Sequence, residues 1–82
     1  MTKVEKENLK VIINIMANDF NFYSKKAVQH REEGNIENAR YCSYQSEYCI
    51  QYLNYFRYSN FINYTIKNDK YEQVEIEFFV LV

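Results

Sequence analysis

A row of tyrosines is the set of side chains in this sequence best suited to binding. Its members recur every three or four residues, a spacing that places them on one stripe of an α-helix. Two arginines, Arg40 and Arg57, are near the row in sequence, and a guanidinium can hold a phosphate or a carboxylate. The row consists of Tyr41, Tyr44, Tyr48, Tyr52 and Tyr55.

Two interpretations of this row remain open. Tyrosine tolerates half-burial with its hydroxyl in water, so the row can pack on the C-terminal strand or on another subunit. Alternatively, the rings form a surface that stacks on bases or a nucleotide, or that docks on a partner protein through rigid aromatic anchors. The two coincide if the row lines a groove between subunits.

No catalytic or cofactor motif occurs in the sequence. The single glycine excludes a glycine-rich phosphate loop, and there is no nucleophile elbow, zinc-finger or EF-hand spacing. No nucleophile or orienting acid is placed beside the only histidine, His30, so we expect it to be structural. Cys42 and Cys49 would lie about 10 Å apart along a helix, too far for a disulfide, and we expect reduced core thiols. We therefore predict a protein that is not an enzyme and that has no metal or cofactor.

Length and composition predict one domain, residues 1–82, with a thin core. The chain is 48 % hydrophobic and 18 % aromatic, which is rich for its size. Some apolar surface is therefore expected to remain after one core is filled, and a homo-oligomer is the natural way to cover it.

Charge and hydropathy restrict the expected partners. The formal charge of −1 argues against binding of duplex nucleic acid, which needs a basic stripe, and against a basic membrane-surface helix. There is no apolar run of the roughly 18 residues that a spanning helix requires. The charged N-terminus does not resemble a signal peptide. We expect a cytoplasmic protein that binds neither duplex nucleic acid nor a membrane.

Two apolar ladders organise the first 60 residues. Each steps alternately by four and three, which places its members on one side of a helix. Gly34 can end the first helix in the left-handed conformation and Asn35 can cap the second, so the helices should fold back on each other. The ladders are Leu9, Ile13, Met16, Phe20, Tyr23, Ala27 and His30, and then Ala39, Cys42, Ser46, Cys49, Leu53 and Phe56.

The first helix is predicted over about 3–33, with a capping box at Thr2 and Glu5 and a possible kink at 18–21, where poor helix formers cluster. The second helix is predicted over about 36–60. A tight turn at Gly34 places residues whose numbers sum to about 69 opposite each other, and large side chains then meet small ones. These pairs are Ala27 with Cys42, Tyr23 with Ser46, Phe20 with Cys49, Met16 with Leu53 and Ile13 with Phe56.

The C-terminal segment, 71–82, is predicted to be a strand because it is rich in β-branched and aromatic residues and alternates in polarity. Residues 61–67 are either its hairpin partner, turning through Asn68 and Asp69, or the end of the second helix. Glu72, Glu75 and Glu77 would protect the strand edge. The predicted fold class is mainly α, an antiparallel helical hairpin with a short C-terminal β-strand or β-hairpin.

The small residues Ala27, Gly34 and Ala39 resemble the helix-turn-helix of a tetratricopeptide repeat, although Ser43 and Ser46 stand where that repeat has an aromatic and an alanine. In size, composition and its Glu-Glu-Gly-Asn turn, the whole chain is similar to short helical-hairpin proteins of phages and prophages of low-GC bacteria. That resemblance implies binding and disabling of a host defence component, or sequestration of its signalling nucleotide, without catalysis.

The sequence is therefore compatible with three functions. The first is a non-enzymatic binding protein, a phage-type inhibitor of a bacterial defence system that acts by protein-protein interaction. The second is an oligomeric protein that binds or sequesters a nucleotide or other small ligand, with Arg40 or Arg57 on a phosphate. The third is a structural or regulatory subunit of a larger assembly.

Overall fold

The protein is a helical hairpin followed by a two-stranded antiparallel sheet, in a computed structural model that describes residues 2–68 and 74–81. Helix α1 spans Lys3–Glu32 and helix α2 spans Ile36–Tyr58. Strand β1 spans Ile62–Asn68 and strand β2 spans Val74–Val80. The predicted fold class is confirmed, and of its two alternatives the β-hairpin is the one present. The oligomeric state stays a prediction.

Helix α1 begins where the sequence predicts and is not interrupted. The Thr2 hydroxyl accepts the backbone N–H of Glu5 at 3.2 Å and donates to the Glu5 carboxylate at 3.0 Å. The helix continues through 18–21, where we expected a possible kink. Phe20 is buried there, and the Asn21 side chain bonds to β2 rather than to its own helix. The feature that weakens asparagine as a helix former, competition for the nearby backbone, is therefore absent at Asn21.

The turn between the helices is a Schellman motif centred on Gly34, which has φ +77°. The N–H of Gly34 donates to the carbonyl of Arg31 at 3.1 Å, and the N–H of Asn35 donates to the carbonyl of His30 at 2.8 Å. Asn35 occupies the N-cap position of α2 as expected, but its side chain makes no capping hydrogen bond.

A second Schellman motif ends α2, two residues before the expected boundary at 60. Asn60 takes the left-handed conformation, with φ 62°, and its N–H donates to the carbonyl of Arg57 at 3.1 Å. The N–H of Phe61 donates to the carbonyl of Phe56 at 3.0 Å, and both phenylalanines pack on the core. The chain leaves the helix here because asparagine adopts this conformation more readily than most residues.

The core lies between the two helices and the inner face of the sheet. Ile13, Leu53 and Ile62 are its largest fully buried side chains. Six residues of the predicted facing pairs, from both helices, belong to this one cluster: Ile13, Met16, Phe20, Cys49, Leu53 and Phe56. Small buried residues, Ala27, Ala39 and Cys42, occupy the helices near the turn.

The sheet alternates as the sequence predicts, because successive side chains of a strand point to opposite faces. Ile62 pairs with Val80, Tyr64 with Phe78 and Ile66 with Ile76, which places these six residues on one face. The opposite face is mostly polar. On it, the Lys67 amine donates to the Glu77 carboxylate, and this hydrogen bond raises the pKa of Lys67.

Several C-terminal predictions concern residues outside the described ranges. They are the Asp69 half of the predicted turn, the first part of the predicted strand at 71–73, the role of Glu72, and the last residue, Val82. The other predicted turn residue, Asn68, is the last residue of β1 and pairs with Val74, so the chain reverses after Asn68 and not at it.

Candidate functional site: the tyrosine face of α2

The five tyrosines predicted to form a row lie on one exposed side of α2, which we call the tyrosine face. At 100° per residue this side is centred about 130° from the buried residues of the same helix. The rings are 42 % (Tyr52) to 69 % (Tyr44) exposed. The sheet packs against the core instead, so the described strands do not cover the face. It consists of Tyr41, Tyr44, Tyr48, Tyr52 and Tyr55.

The centre of the face is a tyrosine pair. The hydroxyl of Tyr48 donates to the hydroxyl of Tyr52 at 3.2 Å, and the two ring centroids are 4.9 Å apart at an angle of 55°. The pKa of Tyr48 is raised, first because its hydroxyl proton is held in this hydrogen bond and then because an ionised Tyr52 would repel its charge. Tyr48 is therefore protonated at physiological pH, and its ring lies against that of Tyr52.

The ends of the face are anchored to neighbouring aromatic rings. The ring of Tyr41 meets Tyr23 of α1 edge to face, with centroids 6.3 Å apart. Burial raises the pKa of Tyr23, and the nearby Tyr41 adds to the shift. At the other end, the ring of Tyr55 is 5.7 Å from that of Phe56, again edge to face. Each end of the face therefore has an aromatic neighbour.

The tyrosine face carries an open depression. Gln51, Tyr52 and Tyr55 line a shallow depression of about 300 Å³, mostly apolar. Such an open depression suits a side chain from a partner protein, whereas small ligands are usually bound in clefts that bury most of their surface.

Arg40 lies beside the face and Arg57 does not. Arg40 and Arg31 line a second groove of about 220 Å³ together with Tyr44 and Glu47. Arg57 is on the opposite side of α2, where its guanidinium lies over the ring of Tyr64, 5.0 Å from the centroid. Of the two arginines considered with the row, the structure brings only Arg40 to it.

His30 is partly buried, and the two cysteines are buried. The Nδ1 atom of His30 is buried without a hydrogen-bond partner among the described residues, 3.9 Å from the carboxylate of Glu33. Cys42 and Cys49 are both buried and free. Burial raises the pKa of the Cys49 thiol, and Asp19 raises it further, so this thiol is a poor nucleophile.

Residues 2–68 and 74–81 meet neither the requirements for a metal site nor those for a membrane-spanning helix. No three histidine, cysteine or acidic side chains there lie close enough to hold a metal ion. In the same part of the chain, neither helix combines the length and the hydropathy needed to cross a bilayer.

Two tyrosines were not singled out from the sequence, one highly exposed and one in contact with distant residues. Tyr58, at the end of α2, is more exposed than any member of the tyrosine face. Tyr64 donates its hydroxyl to the side-chain carbonyl of Asn54 and supports Arg57. Tyr58 follows the row by three residues and could have been included on spacing alone. The Tyr64 contacts depend on how β1 packs, which no local spacing indicates.

Comparison with known proteins gives no relative: no family model matches the chain, and no curated protein or solved structure is significantly similar to it.

Proposed function

We propose that this protein acts by binding a partner protein through the tyrosine face. The observation that carries the proposal is the exposure of five aromatic rings in one row, with Tyr48 and Tyr52 hydrogen-bonded to each other at its centre. Tyrosine has few rotatable bonds, so a rigid tyrosine gives a large contact area at low cost in conformational entropy. Residues of this type carry much of the binding energy in protein interfaces.

The chemistry of the face specifies the partner surface. Its rings are apolar with hydroxyls at their tips, and Arg40 and Glu47 lie along one side. A complementary surface presents an apolar side chain to the depression at Gln51, Tyr52 and Tyr55, and hydrogen-bond acceptors or donors around it. A bacterial defence protein is the first partner to test, because in size, composition and turn sequence the chain resembles short hairpin proteins of phages.

A double substitution in the tyrosine face tests the proposal. The purified chain would be used to capture proteins from a bacterial lysate, and an identified partner would then be purified and titrated by calorimetry. Tyr48→Ala with Tyr52→Ala should weaken the affinity at least ~10-fold, because loss of a central aromatic anchor commonly costs more than ~1.4 kcal/mol.

The control is Phe79→Ala, which removes an aromatic ring of similar exposure from the outer face of the sheet. This variant should bind like the wild type. Equal affinity of the tyrosine double variant and the wild type would overturn the proposal.

The groove beside the face favours a second candidate, binding of an anionic nucleotide. Two arginines, Arg31 and Arg40, line this groove together with the exposed Tyr44. Cations for phosphate and a ring for base stacking are the two elements such a ligand needs. A thermal-shift screen with cyclic and linear nucleotides tests it. A shift that Arg40→Gln abolishes supports nucleotide binding, and no shift with any nucleotide rejects it.

A further inference from the structure

A second apolar stripe, which we call the outer stripe, runs along the outward side of α1. At 100° per residue it is centred about 180° from the buried residues of the same helix. Its members are all exposed, and the four apolar ones are 50 % (Ile15) to 69 % (Val4) exposed. The stripe consists of Val4, Asn8, Val11, Ile15, Asn18 and Phe22.

The spacing of the outer stripe is that of a helix-helix seam. Its members alternate in steps of four and three, which is the repeat that packs one helix against another as knobs into holes. From Val4 to Phe22 the stripe is about 27 Å long at a rise of 1.5 Å per residue. A helix that faced only water would carry polar residues along this line.

The order of residues in the outer stripe indicates which helix packs against it. Read in reverse, the stripe has the same polarity: apolar, amide, apolar, apolar, amide, apolar. An antiparallel second copy, paired so that residue numbers sum to 26, places apolar residues on apolar residues and amides on amides. The pairs are Val4 with Phe22, Asn8 with Asn18 and Val11 with Ile15, each formed twice.

Side-chain size and the asparagines favour this arrangement over other ways of pairing two copies. In the antiparallel register every apolar layer joins a valine to a larger residue, so the layers have similar widths. A parallel copy would place Phe22 on Phe22 and Val4 on Val4, with one wide layer and one narrow layer. A shift of the antiparallel copy by seven residues would place Asn18 against Ile15 and leave its amide without a polar partner. Buried asparagines fix the register of helix pairs in this way.

We propose that two copies of this chain form an antiparallel dimer through the outer stripe of α1. The two-fold axis passes at the level of residue 13. Ile12, which is exposed beside the stripe, then lies near Ile12 of the second copy. The interface is separate from the tyrosine face, which belongs to α2, so the dimer presents two such faces.

Sedimentation equilibrium on the full chain tests this dimer. Ile15→Glu buries a charge against Val11 of the second copy and should raise the dimer dissociation constant at least ~100-fold, since an unpaired buried charge costs several kcal/mol. The matched control is Ile36→Glu, because Ile36 and Ile15 are each 50 % exposed and Ile36 lies on α2. The control should dimerise like the wild type, and circular dichroism should show both variants folded.

A charge-pair rescue tests the antiparallel register. Val11→Lys alone should also be monomeric. A mixture of the Ile15→Glu and Val11→Lys chains should form a heterodimer, because the register places the new glutamate against the new lysine of the other chain. In a parallel dimer these two side chains do not meet, and the mixture would stay monomeric.

Three results would overturn the proposal. The wild-type chain could stay monomeric at high concentration, Ile15→Glu could leave the dimer intact, or the mixture of the two variants could fail to dimerise. The double variant Tyr48→Ala with Tyr52→Ala should remain dimeric. Failure of partner binding and failure of dimerisation are therefore distinguishable.

Discussion

The side-chain amide of Asn21 on α1 forms two hydrogen bonds with the backbone of Ile76 in β2. Its Oδ1 accepts the N–H of Ile76 at 2.6 Å, and its Nδ2 donates to the carbonyl of Ile76 at 3.3 Å. A side-chain amide has the same donor and acceptor as a backbone unit. Asn21 thereby acts as a one-residue partner for an edge strand and ties the sheet to the first helix.

Replacing Asn21 should destabilise the fold more than replacing another asparagine of the same helix. Asn21→Ala leaves the N–H and carbonyl of the buried Ile76 without these partners, which costs about 1–3 kcal/mol. The control Asn14→Ala, at an exposed position of α1, should change the free energy of unfolding by about 0.5 kcal/mol or less. Urea unfolding measures both. Faster hydrogen exchange at Ile76 in Asn21→Ala alone would localise the effect, and equal stabilities would contradict it.

The core depends strongly on Leu53. This side chain is 0 % exposed, whereas Leu81, the residue after β2, is 59 % exposed. Leu53→Ala should lower the free energy of unfolding by about 2–5 kcal/mol, because it removes buried methyl groups and leaves a cavity. The same substitution at Leu81 should have little effect on the monomer. Thermal unfolding followed by circular dichroism compares the two, and a loss of stability in Leu81→Ala as large as that in Leu53→Ala would contradict the prediction.

The turn between the helices depends on backbone conformation at Gly34 and not on the space around it. A Cβ atom added at Gly34 would meet no atom within 4 Å, but φ is +77°. Gly34→Ala should therefore cost about 1–2 kcal/mol through the left-handed conformation alone. Asn60 has a similar backbone conformation, with φ 62°. Asn60→Gly should therefore leave the free energy of unfolding unchanged or higher, whereas Asn60→Ala should lower it. Chemical denaturation of the three variants checks this, and an Asn60→Gly variant less stable than the wild type would show that the Asn60 side chain matters more than its backbone.

The hydrogen bond between Tyr48 and Tyr52 should be visible in a tyrosine titration. The folded-state pKa of Tyr48 is raised because its hydroxyl donates to that of Tyr52. The stabilisation is thus fully present below the usual tyrosine pKa, and it is lost as the pH rises through the higher folded value. Tyr52→Phe removes the acceptor and should return the pKa of Tyr48 towards its usual value.

NMR of ring-labelled tyrosine measures this pKa directly. Tyr44→Phe is a suitable control because it changes an exposed tyrosine of the same face outside the pair. It should leave the titration of Tyr48 unchanged. A Tyr48 pKa that does not fall in Tyr52→Phe would mean that the hydrogen bond is not the cause of the shift.

Local sequence determined the helices, their turn and the tyrosine face. The two ladders, with Gly34 between them, specify amphipathic helices that reverse direction, because a helix repeats every 3.6 residues and glycine ends it readily. The same periodicity places the five tyrosines on one side of α2. The outer stripe of Val4, Val11, Ile15 and Phe22 has a periodicity of the same kind, so it too can be read from spacing.

Tertiary structure decided which of these surfaces is covered and how the C-terminal segment folds. Periodicity identifies two apolar sides of α1, and packing buries the side of Ile13 and Phe20 while the outer stripe stays exposed. Residues 61–67 are compatible with helix or strand, and the Schellman turn at Asn60 together with pairing to β2 selects the strand. The positions of Arg57 over Tyr64 and of Asn21 on Ile76 join residues distant in the chain. Contacts of this kind depend on how packed elements meet, and no local pattern of residue types encodes them.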